Sequence, residues 1–173
     1  MLAKIALSLM TLTVIVGAQS KPPHKNIPHI SSERPTVSLC ALLSKPADYD
    51  GKEIRVRAQY NIGFEWSYFD ASSCKEYAVE TTPYRTANVV WAEFNKSVET
   101  ETKTEVYEKF RKAKGVCCPD GWRTNQTELV ITGKFFKTNN AAYGQGYGHL
   151  GLYAYKMVVD TVEEVGDTKT VSP

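Results

Sequence analysis

The chain of 173 residues carries 21 lysines and arginines against 19 aspartates and glutamates, a formal net charge of +2. This length suffices for one domain with a hydrophobic core and is short for two. Proteins that hold nucleic acid through its phosphates normally have a clear basic excess. The near-neutral charge therefore disfavours a nucleic-acid partner.

Residues 1–18 have the pattern of a secretory signal peptide. Lys4 precedes an apolar run from Ile5 to Val16, and small residues follow it. The run is shorter than the ~20 residues that span a bilayer. We therefore expect cleavage before Gln19 or Lys21, and a secreted or periplasmic protein without a membrane anchor.

The first part of the mature chain divides into a flexible segment, a helix and a strand. Prolines interrupt residues 19–35, which we expect to be flexible. Apolar residues at 36–45 recur at helical spacing until Pro46, with Thr36 or Ser38 as candidate N-cap. In residues 52–60 apolar and polar side chains alternate, which predicts a half-buried strand.

The remainder predicts four more strands and a second helix. The strands are rich in β-branched and aromatic residues, and the helix is amphipathic. The predicted bounds are 64–70, 88–94, 128–136 and 152–165 for the strands and 97–115 for the helix. A loose tail is expected at 166–173.

This order of elements predicts the fold class. Five strands with a helix between the third and the fourth is the organisation of an OB-fold. We therefore expect a mainly β domain at 36–165. It should be a five-stranded, OB-like Greek-key barrel, with one helix before strand one and one between strands three and four.

Four stretches of the chain carry a resemblance to a known family. They read LLSKPADYDGKEIRVRAQYNIGFEWSYFD, VVWAEF, VITGKFF and GYGHLGLYAYKMVVDTVEEV. In these stretches, within residues 37–165, the chain resembles uncharacterised small exported bacterial proteins with an OB-fold-like β-barrel. The resemblance implies a fold and an exported location. It implies no activity and no functional residues.

Export and this fold together suggest a disulfide bond. Cysteines of secreted proteins form disulfides because the compartment is oxidising. In the expected fold the first helix packs over the end of the first hairpin. That packing would bring Cys40 and Cys74 within the ~6 Å that a disulfide requires. A bridge between the adjacent Cys117 and Cys118 would need a distorted ring, and a bond from either to the loop at 71–87 stays open.

A glycine-rich loop, GQGYGHLG at 144–151, is the most unusual local sequence. Phosphate-binding loops lead into a helix N-terminus, whereas this loop leads into a predicted strand. The glycines are therefore interpreted as a bend between strands, where they allow positive φ and close backbone approach.

Aromatic residues concentrate on the predicted strands two and three and on the loops beside them. OB-folds bind ligands on that face, and aromatic rings there can stack on a sugar or a base. The alternative is that half of these rings fill the core. The predicted ligand-binding residues are Tyr60, Phe64, Trp66, Tyr68, Trp91, Tyr147 and His149.

His149 is also a weak candidate for catalysis. A catalytic histidine needs an orienting carboxylate and a nucleophile, and no nucleophile motif accompanies it. Its other interpretation is a contact that locks the loop, to Glu65 or to a backbone carbonyl. We assign no metal ligands and no cofactor, since adjacent cysteines point apart and cannot converge on a metal.

These observations favour an exported binding or interaction module. It would recognise a small ligand, a glycan or a protein partner through the open face of the barrel. The alternative is a hydrolase-like enzyme that uses His149 with a nearby carboxylate. Binding of single-stranded nucleic acid rests on fold analogy alone and is less favoured.

Overall fold

The computed structural model describes residues 35–63, 65–74, 88–100, 104–115, 124–138 and 144–171. The expected signal peptide, most of the Pro-rich segment, Phe64, Cys117 and Cys118 lie outside these residues. The described strands are β1 (Thr36–Ser38), β2 (Glu53–Ile62), β3 (Ser67–Asp70), β4 (Val89–Phe94), β5 (Thr124–Lys137) and β6 (Tyr155–Val171). The helices are α1 (Leu39–Ser44), α2 (Pro46–Tyr49), α3 (Lys96–Thr100) and α4 (Glu105–Gly115).

Five strands close into a barrel. Their order is β2-β3-β4-β6-β5, and β5 pairs back with β2. The pairing of β4 with β6 is parallel, and the other four pairings in the ring are antiparallel. In chain order the helices α3 and α4 lie between β4 and β5, the third and fourth strands of the barrel. The expected OB-like barrel is confirmed.

The entry to the barrel differs from the expected single helix at 36–45. Thr36–Ser38 form β1, which pairs in parallel with residues 55–57 of β2. The helix α1 begins only at Leu39, because Ser38 is extended and its Oγ accepts a hydrogen bond from the backbone N–H of Ala41 at 3.1 Å. Ser38 is therefore the N-cap, one of the two candidates.

The C-terminal strand is longer than expected. Strand β6 continues to Val171, so the loose tail expected at 166–173 is corrected. Residues 168–171 pair with Thr124–Thr127 of β5, which itself begins four residues before the predicted 128. Both paired segments are polar and show no apolar alternation. Backbone hydrogen bonds between the two strands nevertheless continue through them.

The core follows the alternation along β2. Ile54, Val56, Ala58 and Tyr60 point inward and are buried. The ring of Tyr60 lies 5.7 Å from that of Phe69 and 6.1 Å from that of Phe110, centroid to centroid. Phe110 comes from α4, so this helix packs an aromatic side chain into the same core as the strands.

The expected disulfide is present. Cys40 in α1 and Cys74 after β3 are bonded, with their Cα atoms 5.3 Å apart. The bond ties the entry helix to the end of the hairpin formed by β2 and β3. Separately, no helix in the described part of the chain is long and apolar enough to cross a membrane.

Replacing both cysteines, C40A with C74A, should lower the free energy of unfolding by about 2–4 kcal/mol, because the bond closes a loop with a sequence separation of 34. Urea unfolding of the oxidised protein measures this. Reductant should shift wild type toward the double variant. Equal midpoints for the two proteins would show that the bond contributes nothing.

Candidate functional site

A row of side chains crosses the outside of the barrel. Tyr68 on β3 lies opposite Trp91 on β4, and Trp91 lies opposite Lys156 on β6. Directly opposed residues share a face of the sheet. Their neighbours along the strands are the buried core residues Phe69, Val90 and Met157, so the row faces outward.

Trp66 extends this row toward the loop between β2 and β3. Its ring stacks on that of Tyr68, with centroids 5.3 Å apart and an interplanar angle of 22°. The indole also lies against the backbone of Gly63, where an added Cβ would come within 2.2 Å of the Trp66 Cε2. A side chain at position 63 would therefore displace Trp66.

The glycine-rich loop folds back on itself above the same face. Tyr147 and Tyr153 exchange two backbone hydrogen bonds, of 2.8 and 3.2 Å. Gly144, Gly148 and Gly151 have φ of 77°, 68° and 62°. The expected bend with positive φ is confirmed.

This loop packs on Trp91. Gly148 has φ 68° and ψ −157°, a conformation that is essentially restricted to glycine. A Cβ there would come within 2.2 Å of the Trp91 Cδ2. The ring of Tyr153 lies 4.9 Å from the Trp91 ring, centroid to centroid. The loop backbone and Tyr153 thus hold the indole.

We call this surface the aromatic face. It consists of Trp66, Tyr68, Trp91 and Tyr147, together with Tyr153, which is buried and packs against Trp91. It brings together four of the predicted ligand-binding residues. Tyr153 was not among them, although its place beside the glycine loop in a strand-like stretch was a usable signal.

Polar side chains border the aromatic face in pairs. His149 Nε2 lies 3.7 Å from Glu65 Oε2, so this pair joins the two loops. Lys156 Nζ lies 3.2 Å from Glu93 Oε2 and 5.1 Å from the centre of the Tyr147 ring. The expected contact of His149 with Glu65 is present at ion-pair distance.

The tyrosines of the aromatic face stay neutral at physiological pH. Burial raises the pKa of Tyr68 above its ordinary value, and the charge of Asp70 adds to this effect. Burial also raises the pKa of Tyr153. Because the pKa of these tyrosines is higher in the folded protein than in the unfolded chain, their neutral form favours folding. This stabilisation is intact below about pH 10 and is lost as the pH rises through the pKa of the folded protein.

The tip of the loop exposes an apolar side chain. Leu150, next to His149, is 53% exposed and has a φ of 56°. A branched residue with positive φ is strained, and such strain concentrates at functional loops. The loop therefore presents an apolar side chain beside the contact between His149 and Glu65.

Of the other three predicted ligand-binding residues, His149 lies at the border of the aromatic face. Tyr60 has no exposed surface and packs in the core. This is a correction, and its reason is the alternation of β2, which places residue 60 on the same side as the buried Ala58. Phe64 lies outside the described residues.

A concavity of about 520 Å³ lies beside the disulfide, apart from the residues of the aromatic face. Arg57 and Asp70 are among its lining residues. Both are already engaged, since Arg57 pairs with Glu128 and Glu164 and Asp70 accepts a hydrogen bond from the Ser72 backbone. Among the residues that the structure describes, no group of three or more His, Cys, Asp or Glu side chains could hold a metal ion.

Comparison of the chain with protein-family models, with curated proteins and with solved structures finds no match. The geometry of the residues themselves therefore carries the functional proposal.

Gly148→Ala should destabilise the protein by about 1–3 kcal/mol from backbone strain, and more from the clash with Trp91, and it should shift the Trp91 indole signal in an NMR spectrum. Gly144→Ala is the matched control, because residue 144 also has positive φ but nothing lies within 4 Å of its added Cβ. Equal loss of thermal stability in the two variants, with an unmoved Trp91 signal, would contradict the packing of the loop on this ring.

Proposed function

We propose that this protein is an exported binding module that takes its ligand on the aromatic face. The observation that carries the proposal is the cross-strand pair of Tyr68 and Trp91. The stacked Trp66 and the glycine-rich loop extend this pair into one surface. The ligand would be a small molecule, a glycan or a protein partner.

The arrangement of the rings supports this function. OB-like barrels use the corresponding strands and loops to bind oligosaccharides and oligonucleotides. The ring of Trp91 is held by Gly148 and Tyr153, and that of Trp66 by Gly63 and Tyr68. Side chains that are already ordered lose little conformational entropy when a ligand binds.

Export is part of the proposal. The N-terminal sequence has the signal-peptide pattern, and the Cys40–Cys74 bond is compatible with an oxidising compartment. We place the protein outside the cytoplasm, secreted or periplasmic. Kinship with the small exported bacterial proteins that the chain resembles belongs to the same proposal.

The second candidate is a hydrolase-like enzyme. The contact between His149 and Glu65 favours it, because a carboxylate beside an imidazole can orient a general base. Both side chains are about half exposed, at 43% and 57%. We rank this candidate second because such a pair at a loop tip also serves to lock two loops together.

The binding function can be tested by NMR on the mature, oxidised protein. Cell-wall sugars, an oligonucleotide, zinc and calcium would be titrated separately. We expect one ligand to shift signals within 65–68, 89–94 and 144–156 alone. Tyr68→Leu should weaken that ligand about tenfold, since a ring stack contributes about 1–3 kcal/mol.

Tyr49→Leu is the matched control, because Tyr49 is also half-buried but lies in α2 and is not part of the aromatic face. It should leave the affinity unchanged. Shifts centred on the concavity beside the disulfide, or equal weakening by both variants, would contradict binding at the aromatic face. A steep fall of oligonucleotide affinity with salt would instead indicate nucleic-acid binding.

His149→Ala separates the binding module from the enzyme. For a binding module we expect the ligand to be recovered intact after incubation with wild type, and its affinity for the variant to change by no more than a few fold. For a hydrolase, wild type would release a product that both His149→Ala and Glu65→Gln fail to release. Chromatography of the incubated ligand distinguishes these outcomes.

A further inference from the structure

The contact between His149 and Glu65 joins the two loops at the border of the aromatic face. Glu65 lies in the loop between β2 and β3, and His149 lies in the glycine-rich loop. The distance from His149 Nε2 to Glu65 Oε2 is 3.7 Å. A change in the strength of this contact would therefore change how firmly the glycine-rich loop is held.

The strength of this contact depends on the charge of the imidazole. At 3.7 Å the two atoms are farther apart than in a hydrogen bond, so the attraction has to come from opposite charges. Histidine side chains ordinarily gain a proton below about pH 6.5, and glutamates lose theirs above about pH 4.3. Between these two values a contact of this kind is an ion pair, and at higher pH it joins a carboxylate to a neutral ring.

The other ionisable groups near the aromatic face keep their charge in the pH range of histidine. Glu93 of β4 lies against Lys156 of β6, and Asp70 of β3 acts on the nearby Tyr68. Carboxylates and lysines ordinarily stay charged from about pH 5.5 to 7.5. Burial raises the pKa of three tyrosines of this surface, Tyr68, Tyr147 and Tyr153. His149, the only histidine in the described part of the chain, is therefore the group whose charge changes.

The glycine-rich loop is built so that this contact matters. Leu150, next to His149, has a φ of 56°, and a strained conformation of this kind persists only where surrounding contacts hold it. The same loop rests on the indole of Trp91 through Gly148. Loosening the contact at His149 would therefore loosen a strained backbone that packs on the aromatic face.

We propose that the contact between His149 and Glu65 is a pH-sensitive clasp, which holds the glycine-rich loop on Trp91 more firmly at pH 5.5 than at pH 7.5. A firmer loop keeps the indole in place, so binding at the aromatic face would be tighter at the lower pH. This effect on binding rests on the proposed function. The effect on the loop itself does not.

Hydrogen exchange measured by NMR on the oxidised protein tests the clasp without any ligand. The reporters are backbone N–H groups that donate to carbonyls within the loop, those of Gly146, Tyr147, Gly151 and Tyr153. Protection factors compare each rate with that of an unstructured peptide at the same pH, which removes the direct effect of pH on exchange. We expect about two- to fourfold higher protection at pH 5.5 than at pH 7.5, the range of an exposed ion pair.

His149→Gln and Glu65→Gln should each abolish this difference, because each variant removes one of the two charges. The matched control is the double variant His24→Gln with His29→Gln. It removes the other two histidines of the chain, which lie outside the described residues. This control should keep the pH difference of wild type.

Two results of the exchange experiment would overturn the inference. One is equal protection of the four amides at both pH values in wild type. The other is a pH difference that persists in both His149→Gln and Glu65→Gln, since it would then arise from another group.

The effect on binding is measured with whichever of the cell-wall sugars, the oligonucleotide, zinc and calcium shifts the aromatic face. Its affinity for wild type should be about two- to fourfold higher at pH 5.5 than at pH 7.5, and His149→Gln should lack this difference. The same pH dependence in wild type and variant would overturn the regulation of binding. If nothing in the panel shifts the face, the proposed function fails, whereas the clasp is still decided by the exchange experiment.

Discussion

The structure depends on the pairing of β2 with β5, which closes the barrel. Ten consecutive residues of β2, from Glu53 to Ile62, pair with residues 134 to 125 of β5. This long register leaves each β2 side chain only one possible side. Tyr60 must enter the core and Asn61 must face outward. The same constraint thus places Tyr60 in the aromatic core and Asn61 on the opposite side of the strand, across from Tyr68.

The glycine-rich loop depends on the barrel in turn. Its backbone can approach Trp91 because residue 148 has no side chain, and Trp91 is in place because β4 is held between β3 and β6. The loop then carries His149 to Glu65, which belongs to the loop between β2 and β3. Two loops that are far apart in the sequence thus form one border of a single surface. They are brought together by packing on the barrel and not by the conformational preferences of their own sequences.

Local periodicity accounts for most of the fold that could be predicted from the sequence. The alternation in β2, the order of helices and strands and the bend at the glycines could all be predicted from the sequence. Five strands with one helical region between the third and the fourth were enough to predict the fold class. The alternation also argued for Tyr60 in the core, against its selection as a ligand contact. Strand β6 beyond Val165 was hidden, because its polar residues are held by pairing with β5. Nothing local could have marked Asn61 as buried and unpaired within the described part of the chain.

Ion pairs cross more than one of the outer surfaces of the barrel. On the strands β2, β5 and β6, Arg57 pairs with Glu128 and Glu164 at 2.8 Å each, in exposed contacts that contribute little to stability. On the aromatic face, Lys156 is likewise matched within the protein. That face presents the rings of Trp66, Tyr68 and Trp91. Under the proposed function, these rings would select a ligand by its shape rather than by its charge.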